Sequence, residues 1–394
     1  MSETVLIDRA VGCLAGAAVG DALGGATEGW EASEIVDHFG GFVSGIVPSI
    51  RIAKGLEKPF SPFHKGDGHV TDDTLMMRAL VDVYAEARQH LTAFDVESRL
   101  VPRLVEEKVW VPELGREELL YHRLFLAEKW LVTKLKYAHT DPREAGVGNI
   151  VNCGAAMFIA PVGIANAGDA DGAYAEAVEI SGAHQSSYGR EAAAVLAAAV
   201  AEAMRPDATV DSVVGVCLRL ARDGTRAAIE AVAAVAGGLS DWRTGLAELR
   251  AAVAPFDSVG ERYAEPSLGA RIPSRLHSIE ELPIALGLLA VAGGDFAETV
   301  LGGVNYGRDA DSTASMGGAL AGALGGVAAL RRDWVAEVGA ASRYDLEAPG
   351  RTMAEVAVEI FERDAERQRR RGLVMEGPAA TVPEPGGVSG VAAP

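Results

Sequence analysis

Two short segments, TDDT at residues 71–74 and GRDADST at residues 307–313, each place two carboxylates and a hydroxyl at a predicted helix start. Helix capping would explain one aspartate in each, because Asp, Ser and Thr satisfy free N–H groups there and the helix dipole favours anions. Four carboxylates in two such clusters repel one another unless a cation compensates. The pattern therefore indicates either a cation site or, equally, helix capping and surface charge.

The donor atoms in these segments determine which cation they would hold. All are hard oxygens, and neither segment has a Cys or His at ligand spacing. Such ligands select Mg²⁺ or Mn²⁺ and also suit Ca²⁺, whereas zinc and copper sites use sulfur or imidazole ligands. We therefore expect Mg²⁺ or Mn²⁺.

The composition favours an all-helical fold. The chain has 394 residues, of which 49% are hydrophobic, 46 are glycine and 6% are aromatic. Such a chain can bury a large core, and its many small residues suit closely packed helices better than a β-sandwich. No alternating stretch is long enough to demand a sheet. We predict one all-helical domain over residues 1–371 and, because its Pro/Gly/Ala/Val composition buries little surface, a disordered tail over residues 372–394.

Charge and cysteine usage exclude several classes of partner. The formal net charge is -19, so nucleic acid and anionic membrane surfaces are poor partners. Cys13, Cys153 and Cys217 are widely spaced and form neither a disulfide framework nor a zinc pattern. The apolar stretch near the start lacks a basic flank and is too interrupted to span a bilayer. We expect a reduced, cytoplasmic compartment.

The two ends of the predicted domain share a glycine pattern. We predict helices over Val5–Gly20 and Ser312–Leu330. A glycine at every fourth residue gives a helix one flat stripe against which another backbone can lie closely. The stripes consist of Gly12, Gly16 and Gly20 in the first helix and Gly318, Gly322 and Gly326 in the second. We predict that both helices are central and place them side by side as a hypothesis.

Further helices and two irregular segments complete the sequence-based picture. Gly41–Phe63 is predicted to be a long surface loop and Glu261–Ser278 a second irregular stretch. The other predicted helices are Leu75–His90, Glu117–Lys136, Ala173–Ser181, Arg190–Met204, Val210–Asp223, Thr225–Ala236, Trp242–Val253 and Leu282–Ala292.

Three ordered motifs together resemble the ADP-ribosylglycohydrolase family. They are GDALG at residues 20–24 with Glu28, TDDT at residues 71–74, and GRDADS at residues 307–312 leading into GGALAGA at residues 317–323. The resemblance runs from about residue 8 to residue 330. CGAAM at residues 153–157 resembles the family's glycine-rich substrate loop, and Ala183-His184 resembles its Thr-His motif.

The resemblance implies an orthogonal all-α bundle and a site that holds two Mg²⁺ or Mn²⁺ ions. Asp21 is implied to lie near this site, with an equally reasonable structural role in bonding backbone N–H groups. The implied metal ligands are Thr71, Asp72, Asp73, Asp309, Asp311 and Ser312. The implied catalytic carboxylates are Glu28, Asp72 and Asp73, with the general base unassigned among them. The implied substrate contacts are Cys153, Gly154, Ala155, His184 and Arg308.

The implied activity is hydrolysis of the glycosidic bond at C1 of an ADP-ribosyl or related ribosyl group. The substrate would be an ADP-ribosylated protein or a small ribosyl compound, and the oligomeric state stays open. Four residues depart from the family pattern: Ser312 replaces Thr, Arg308 a frequent Gly, Cys153 a common Asn, and Phe158 a basic residue. Cys153 and Phe158 lie in the substrate loop, which puts the substrate in doubt and leaves the metal chemistry intact.

Other functions remain as alternatives. The altered loop allows a hydrolase of a small N-riboside or nucleotide-derived metabolite, and the fold also allows a non-catalytic family member. An all-α terpene synthase also uses paired aspartates, but it would want a third Asp where Met76 stands. A dinucleotide-binding Rossmann domain is not indicated either, because the sequence has no G-x-G-x-x-G after a strand pattern. Residues 91–150 match no family motif, so they either wall the pocket or form an ordinary helical insertion.

Overall fold

In a computed structural model the chain is an all-helical bundle with one small hairpin, and residues 4–50, 66–256 and 278–377 are described. The all-α prediction is confirmed. The α-helices are α1 Val5–Gly24, α2 Ala32–Phe39, α3 Asp72–Ala87, α4 Ala93–Asp95, α5 Val101–Glu106, α6 Leu126–Val132, α7 Ala160–Ala165, α8 Ala170–Ser181, α9 Ser187–Ala203, α10 Val210–Leu220, α11 Asp223–Ala236, α12 Trp242–Val253, α13 Ser278–Val291, α14 Phe296–Tyr306, α15 Ala310–Gly325, α16 Arg332–Ser342 and α17 Ala348–Glu376.

Shorter elements join these helices. Strands β1 Lys108–Val111 and β2 Arg116–Leu119 pair antiparallel. Single turns of π-helix span Val96–Leu100 and Thr133–Tyr137. Turns of 3₁₀-helix span Pro112–Leu114, Leu120–Arg123, Cys153–Ala155, Ala254–Phe256 and Val327–Ala329.

The two glycine-striped helices α1 and α15 pack antiparallel, backbone against backbone, and the hypothesis that they are neighbours is confirmed. A Cβ built on Gly16 would lie 2.4 Å from the carbonyl oxygen of Gly318, and one on Gly12 would lie 2.2 Å from that of Gly322. No side chain fits at such positions, so only glycine permits the approach. Gly326 lies just beyond α15, because its φ of +64° ends the helix, but a Cβ on Gly12 would still lie 2.8 Å from the Gly326 carbonyl carbon.

Most predicted helices are present, and one was wrong in part. The helices predicted over Val5–Gly20, Ala173–Ser181 and Trp242–Val253 match observed helices to within about one turn. The helix predicted over Glu117–Lys136 instead begins as strand β2, because residues 116–119 pair with β1, and becomes helical from Leu126. This pairing depends on a neighbouring strand, which helical periodicity does not reveal.

The boundaries of the predicted loops and tail fall partly outside the described residues. The predicted loop Gly41–Phe63 is described only through residue 50, and Glu261–Ser278 only at its last residue. Helix α17 continues to Glu376, past the predicted start of the tail at residue 372, and residues 378–394 lie outside the described part. Among the described residues, we find no helix with the length and apolar character needed to cross a bilayer.

A buried glutamate connects three helices far from the acidic motifs. Glu176 in α8 accepts hydrogen bonds from the Tyr84 hydroxyl at the end of α3 and from the Leu91 N–H, both at 2.7 Å. The His90 ring lies between Glu176 and Asp364 of α17, with Nδ1–Oε2 and Nε2–Oδ2 distances of 2.6 and 3.0 Å. The hydrogen bond to Glu176 raises the pKa of His90 to about 9.

We predict that Gly16→Ala lowers the free energy of unfolding by about 3 kcal/mol, because the new Cβ must push α15 away along its length. Chemical denaturation followed by circular dichroism measures this change. Gly215→Ala in α10 is the matched control, since a Cβ there meets no heavy atom within 4 Å. The control should leave stability unchanged or raise it by up to about 1 kcal/mol, and equal effects of the two variants would contradict the close-contact interpretation.

The His90 contact predicts a pH dependence of stability. A folded-state pKa of about 9, against about 6.5 in the unfolded chain, means that protonated His90 stabilises the fold below about pH 6.5. This contribution is lost as the pH rises through about 9. His90→Asn should therefore lower the melting temperature more at about pH 6 than at about pH 10, whereas exposed His38→Asn should show no such trend. A pH-independent loss in His90→Asn would contradict the assignment.

Candidate active site

Asp21, in the last turns of α1, is fully buried and faces the start of α3. Its Oδ2 accepts hydrogen bonds from the backbone N–H of Thr71 at 2.9 Å and of Thr74 at 3.2 Å, and from the Thr74 hydroxyl. Its Oδ1 has no hydrogen-bond partner among the described residues. Asp21 thus combines the two roles that the sequence left open: one oxygen fixes the start of α3, and the other faces the acidic cluster.

The TDDT segment forms the start of α3. Thr71 caps the helix by accepting a hydrogen bond from the Asp73 N–H at 3.3 Å. Asp73 Oδ1 is buried and has no hydrogen-bond partner among the described residues. The neighbouring Asp72 turns toward α6, where its Oδ2 accepts the Phe125 N–H at 3.1 Å. The two adjacent aspartates therefore have different surroundings, Asp73 inside the cluster and Asp72 at its edge.

Backbone pairing with the segment after α1 positions the second acidic motif. The Gly29 N–H donates to the Arg308 carbonyl at 2.8 Å, and the Arg308 N–H donates to the Trp30 carbonyl at 2.7 Å. We call this backbone pairing of Gly29 and Trp30 with Arg308 the clasp. It places Glu28 beside Asp309 and Asp311, which lie just before and just after the first residue of α15. Residues from opposite ends of the chain therefore meet at one point.

The carboxylates form three overlapping groups, each with ligand atoms within 4.8 Å of one another. Asp309 belongs to two groups and Asp311 to two, so the groups form a continuous row. All members are buried, and each group could hold a metal ion. The groups are Asp21–Asp73–Asp311, Glu28–Asp309–Asp311 and Cys153–Glu281–Asp309.

Burial and mutual repulsion disfavour the charged forms of these acids. Burial raises the pKa of Asp21 to about 6, with the charge of Asp311 adding to the effect and the hydrogen bonds from Thr71 and Thr74 opposing it. Burial, followed by the charge of Asp311, raises the pKa of Asp73 and of Asp309 well above the usual range. A divalent cation would reverse this effect by compensating the negative charge. The unpartnered oxygens of Asp21 and Asp73 fit such an ion, since buried carboxylate oxygens rarely lack a partner.

The predicted substrate loop lies against this row. Cys153 is buried, and its thiol donates to Asp309 Oδ2 at 3.0 Å and lies 3.3 Å from Ser312 Oγ. Gly154 follows directly: a Cβ there would lie 2.7 Å from Glu128 Oε1 and 3.1 Å from His184 Cε1. The structure thus brings the predicted substrate loop and the acidic motif at residues 307–312 together.

His184 sits behind the loop in a buried polar pair. Its Nε2 lies 3.3 Å from Glu128 Oε1, and both side chains are almost fully buried. The Phe158 ring lies 5.9 Å from the imidazole between centroids. The Asn149 amide donates to the His184 carbonyl at 2.8 Å. Glu128, from the 91–150 stretch, therefore lies against both His184 and the predicted substrate loop.

Arg308 occupies a different position from the other predicted substrate contacts. Its guanidinium donates to both Glu280 oxygens, at 2.5 and 3.2 Å, and to Glu31 Oε1 at 3.0 Å. Tyr306 also donates to Glu280, at 2.8 Å. These bonds direct the positive charge toward α2 and α13 and anchor the clasp, and the substrate contact expected of Arg308 stays a prediction.

Two residues of the site were missed in the sequence. Glu281 joins Cys153 and Asp309 in one of the three groups. Its signal was available, because Glu280-Glu281 is an adjacent acidic pair at the start of a helix, as Asp72-Asp73 is. Glu128 gives no comparable signal, since one glutamate in a predicted helix resembles any solvated charge.

Known proteins resemble this chain over most of its length. The uncharacterized protein YegU of Escherichia coli (strain K12) is 25% identical over 343 residues, which cover 86% of this chain and 94% of YegU. A solved structure of an ADP-ribosylglycohydrolase-related protein complex has a TM-score of 0.60 at 20% identity and covers 91% of this chain and 100% of its own, a likeness of fold. The ADP-ribosylglycohydrolase family model matches residues 2–370. With nearly its whole length matched, the chain belongs to the ADP-ribosylglycohydrolase family.

Proposed function

We propose that this protein is a metal-dependent glycohydrolase that cleaves the glycosidic bond at C1 of an ADP-ribosyl group by attack of water. Family membership supports a hydrolase of this general type. The observation that carries the finer proposal is the buried row of acids, in which six carboxylates from distant parts of the chain converge. Such a concentration of buried negative charge is costly for a purely structural core and suits a site for divalent cations.

Asp21, Asp73, Asp309 and Asp311 would hold two hard cations, Mg²⁺ or Mn²⁺, with Thr71 and Ser312 adding hydroxyl oxygens. Two such cations would bind and orient the ribose hydroxyls and would lower the pKa of the attacking water. The carboxylate row itself would stabilise the positive charge that develops at C1 in an oxocarbenium-like transition state.

Glu28 and Asp72 are proposed to move the protons. Each is 6% exposed, whereas the other acids of the row are between 0% and 4% exposed. Asp72 Oδ2 accepts the Phe125 N–H at 3.1 Å, which fixes the orientation of this carboxylate at the edge of the row. One carboxylate would take the proton of the attacking water and the other would donate to the leaving group. Asp73, deeper in the row, is proposed to act mainly as a ligand.

Cys153, Gly154, Ala155 and His184 are proposed to line the substrate side of the site. The Gly154 N–H already donates to Asn152 Oδ1 at 3.1 Å, so this amide shapes the loop and is not available as a phosphate cradle. Phe158 gives the site an aromatic face beside His184. An aromatic face suits the flat, uncharged parts of a nucleotide-derived substrate better than its phosphates.

The position of Phe158 also supports a second candidate substrate class, a small N-riboside or nucleotide-derived metabolite. Assays of ADP-ribosyl-arginine, ADP-ribosyl-serine, O-acetyl-ADP-ribose and simple nucleosides separate the two classes. The first proposal expects turnover of at least one ADP-ribosyl compound and none of the nucleosides. Turnover of nucleosides only would favour the second, and metal binding without any turnover would favour a non-catalytic protein.

We predict that Asp311→Asn lowers kcat by about a hundredfold or more while the fold persists, because Asp311 belongs to two of the three groups and removal of one electrostatic stabiliser has costs of this order. Asp211→Asn is the matched control, since Asp211 is also in the first turn of a helix but is exposed. Chelation by EDTA should abolish activity, and added Mg²⁺ or Mn²⁺ should restore it. Wild-type activity in Asp311→Asn would defeat the proposal.

A second prediction concerns stability. Mg²⁺ or Mn²⁺ should raise the melting temperature, because a ligand that binds the folded state stabilises it. Asp73→Asn should not lower the melting temperature in EDTA, since it replaces a buried acid whose charged form is disfavoured. The same variant should lose most of the metal-induced increase. Differential scanning calorimetry measures both effects, and an increase that survives in Asp73→Asn would exclude this ligand role.

A further inference from the structure

Cys153 differs from the other two thiols of the chain in what surrounds it. Its sulfur lies 3.0 Å from Asp309 Oδ2 and 3.3 Å from Ser312 Oγ. Together with Glu281 and Asp309 it forms one of the three groups whose ligand atoms lie within 4.8 Å. Cys13 and Cys217 are buried among apolar side chains of the core. One thiol thus lies inside the acidic row, where motif spacing in the sequence indicated oxygen donors throughout.

The two ends of the row are chemically different. Asp21, Asp73 and Asp311 offer oxygen atoms at one end, and the unpartnered Oδ1 atoms of Asp21 and Asp73 point to an ion there. Cys153 and Glu281, sharing Asp309 with the middle of the row, offer sulfur and oxygen at the other end. Oxygen ligands suit Mg²⁺ and Mn²⁺, whereas a thiolate selects softer or borderline ions.

The loop that carries Cys153 is fixed independently of any cation. Asn152 Oδ1 accepts the Gly154 N–H at 3.1 Å and the Gln185 amide at 2.7 Å. A Cβ on Gly189 of α9 would lie 2.8 Å from the Asn152 carbonyl oxygen, so the helix packs directly against the loop. The sulfur is therefore held at the row by backbone constraints, as a preorganised ligand requires.

We infer that Cys153 is a ligand of one of the two cations, and that this position prefers a borderline ion such as Zn²⁺, Co²⁺ or Fe²⁺ while the Asp21 end keeps Mg²⁺ or Mn²⁺. The inference rests on the proposed cation site and replaces one of its two hard cations, the one nearest Cys153, with a borderline ion. Binding breaks the S–H bond, forms a metal–sulfur bond and releases the proton to solvent, with no change of oxidation state. The consequence is a site with two inequivalent metals.

Cobalt titration of the whole chain tests this inference, because a Co²⁺–thiolate bond gives a near-ultraviolet charge-transfer absorption that oxygen ligands do not give. We expect the absorption in the wild type and in Cys217→Ser, the matched control, and its loss in Cys153→Ser. Zn²⁺ affinity should fall at least about tenfold in Cys153→Ser, while Mg²⁺ affinity should stay the same. Circular dichroism checks that each variant is folded.

The outcomes separate this inference from the proposed function. Co²⁺ that binds to the wild type without the charge-transfer absorption would overturn the thiolate ligand and leave the proposed glycohydrolase intact. An absorption that survives in Cys153→Ser would do the same. Calorimetry that detects no binding of Co²⁺, Mg²⁺ or Mn²⁺ would overturn both.

Discussion

The direct contact between the backbones of α1 and α15 is the constraint on which the site depends. Where a Cβ would lie about 2 Å from a carbonyl oxygen, as at Gly20 against Ala314 and Gly24 against Ala310, no other residue type preserves the approach. The contact runs to the end of α1 and the start of α15. It therefore fixes Asp21 beside Asp311, and the glycine stripe positions the acids through the backbone, with Gly24 lying directly against the Asp311 backbone.

This constraint explains why the acids can be both buried and close together. Carboxylates free to move apart would do so, because each pair repels and each loses hydration. Here Asp21 is tied to α3 through Thr71 and Thr74, and the clasp between Trp30 and Arg308 fixes the other side. The rigid helices hold the acids in an arrangement that is unfavourable without a cation, which is how a protein achieves tight binding of a divalent ion.

The sequence predicted the parts of the site that depend on local pattern. The acid pairs at helix starts and the glycine stripes follow from residue type and spacing, so Asp73, Asp309 and Asp311 could be named in advance. The position of the Arg308 side chain could not be predicted, because its guanidinium is paired with Glu280 of α13 and with Glu31 at the start of α2. The hairpin at residues 108–119 likewise depends on pairing between strands. The place of Glu128 in the site could not be predicted either, because only the tertiary fold brings it beside His184.

The proposed role of Cys153 shows why the chemistry of a ligand set is harder to predict from sequence than the positions of its acidic residues. Each acidic motif contains only oxygen donors, so each motif taken alone indicates oxygen ligands. The thiol enters from a loop more than 150 residues before Asp309, and only the tertiary fold places the two 3.0 Å apart. Metal preference is a property of the whole ligand set and its geometry. If Cys153 is the proposed ligand, a single substitution in the predicted substrate loop would change the metal preference without altering either acidic motif.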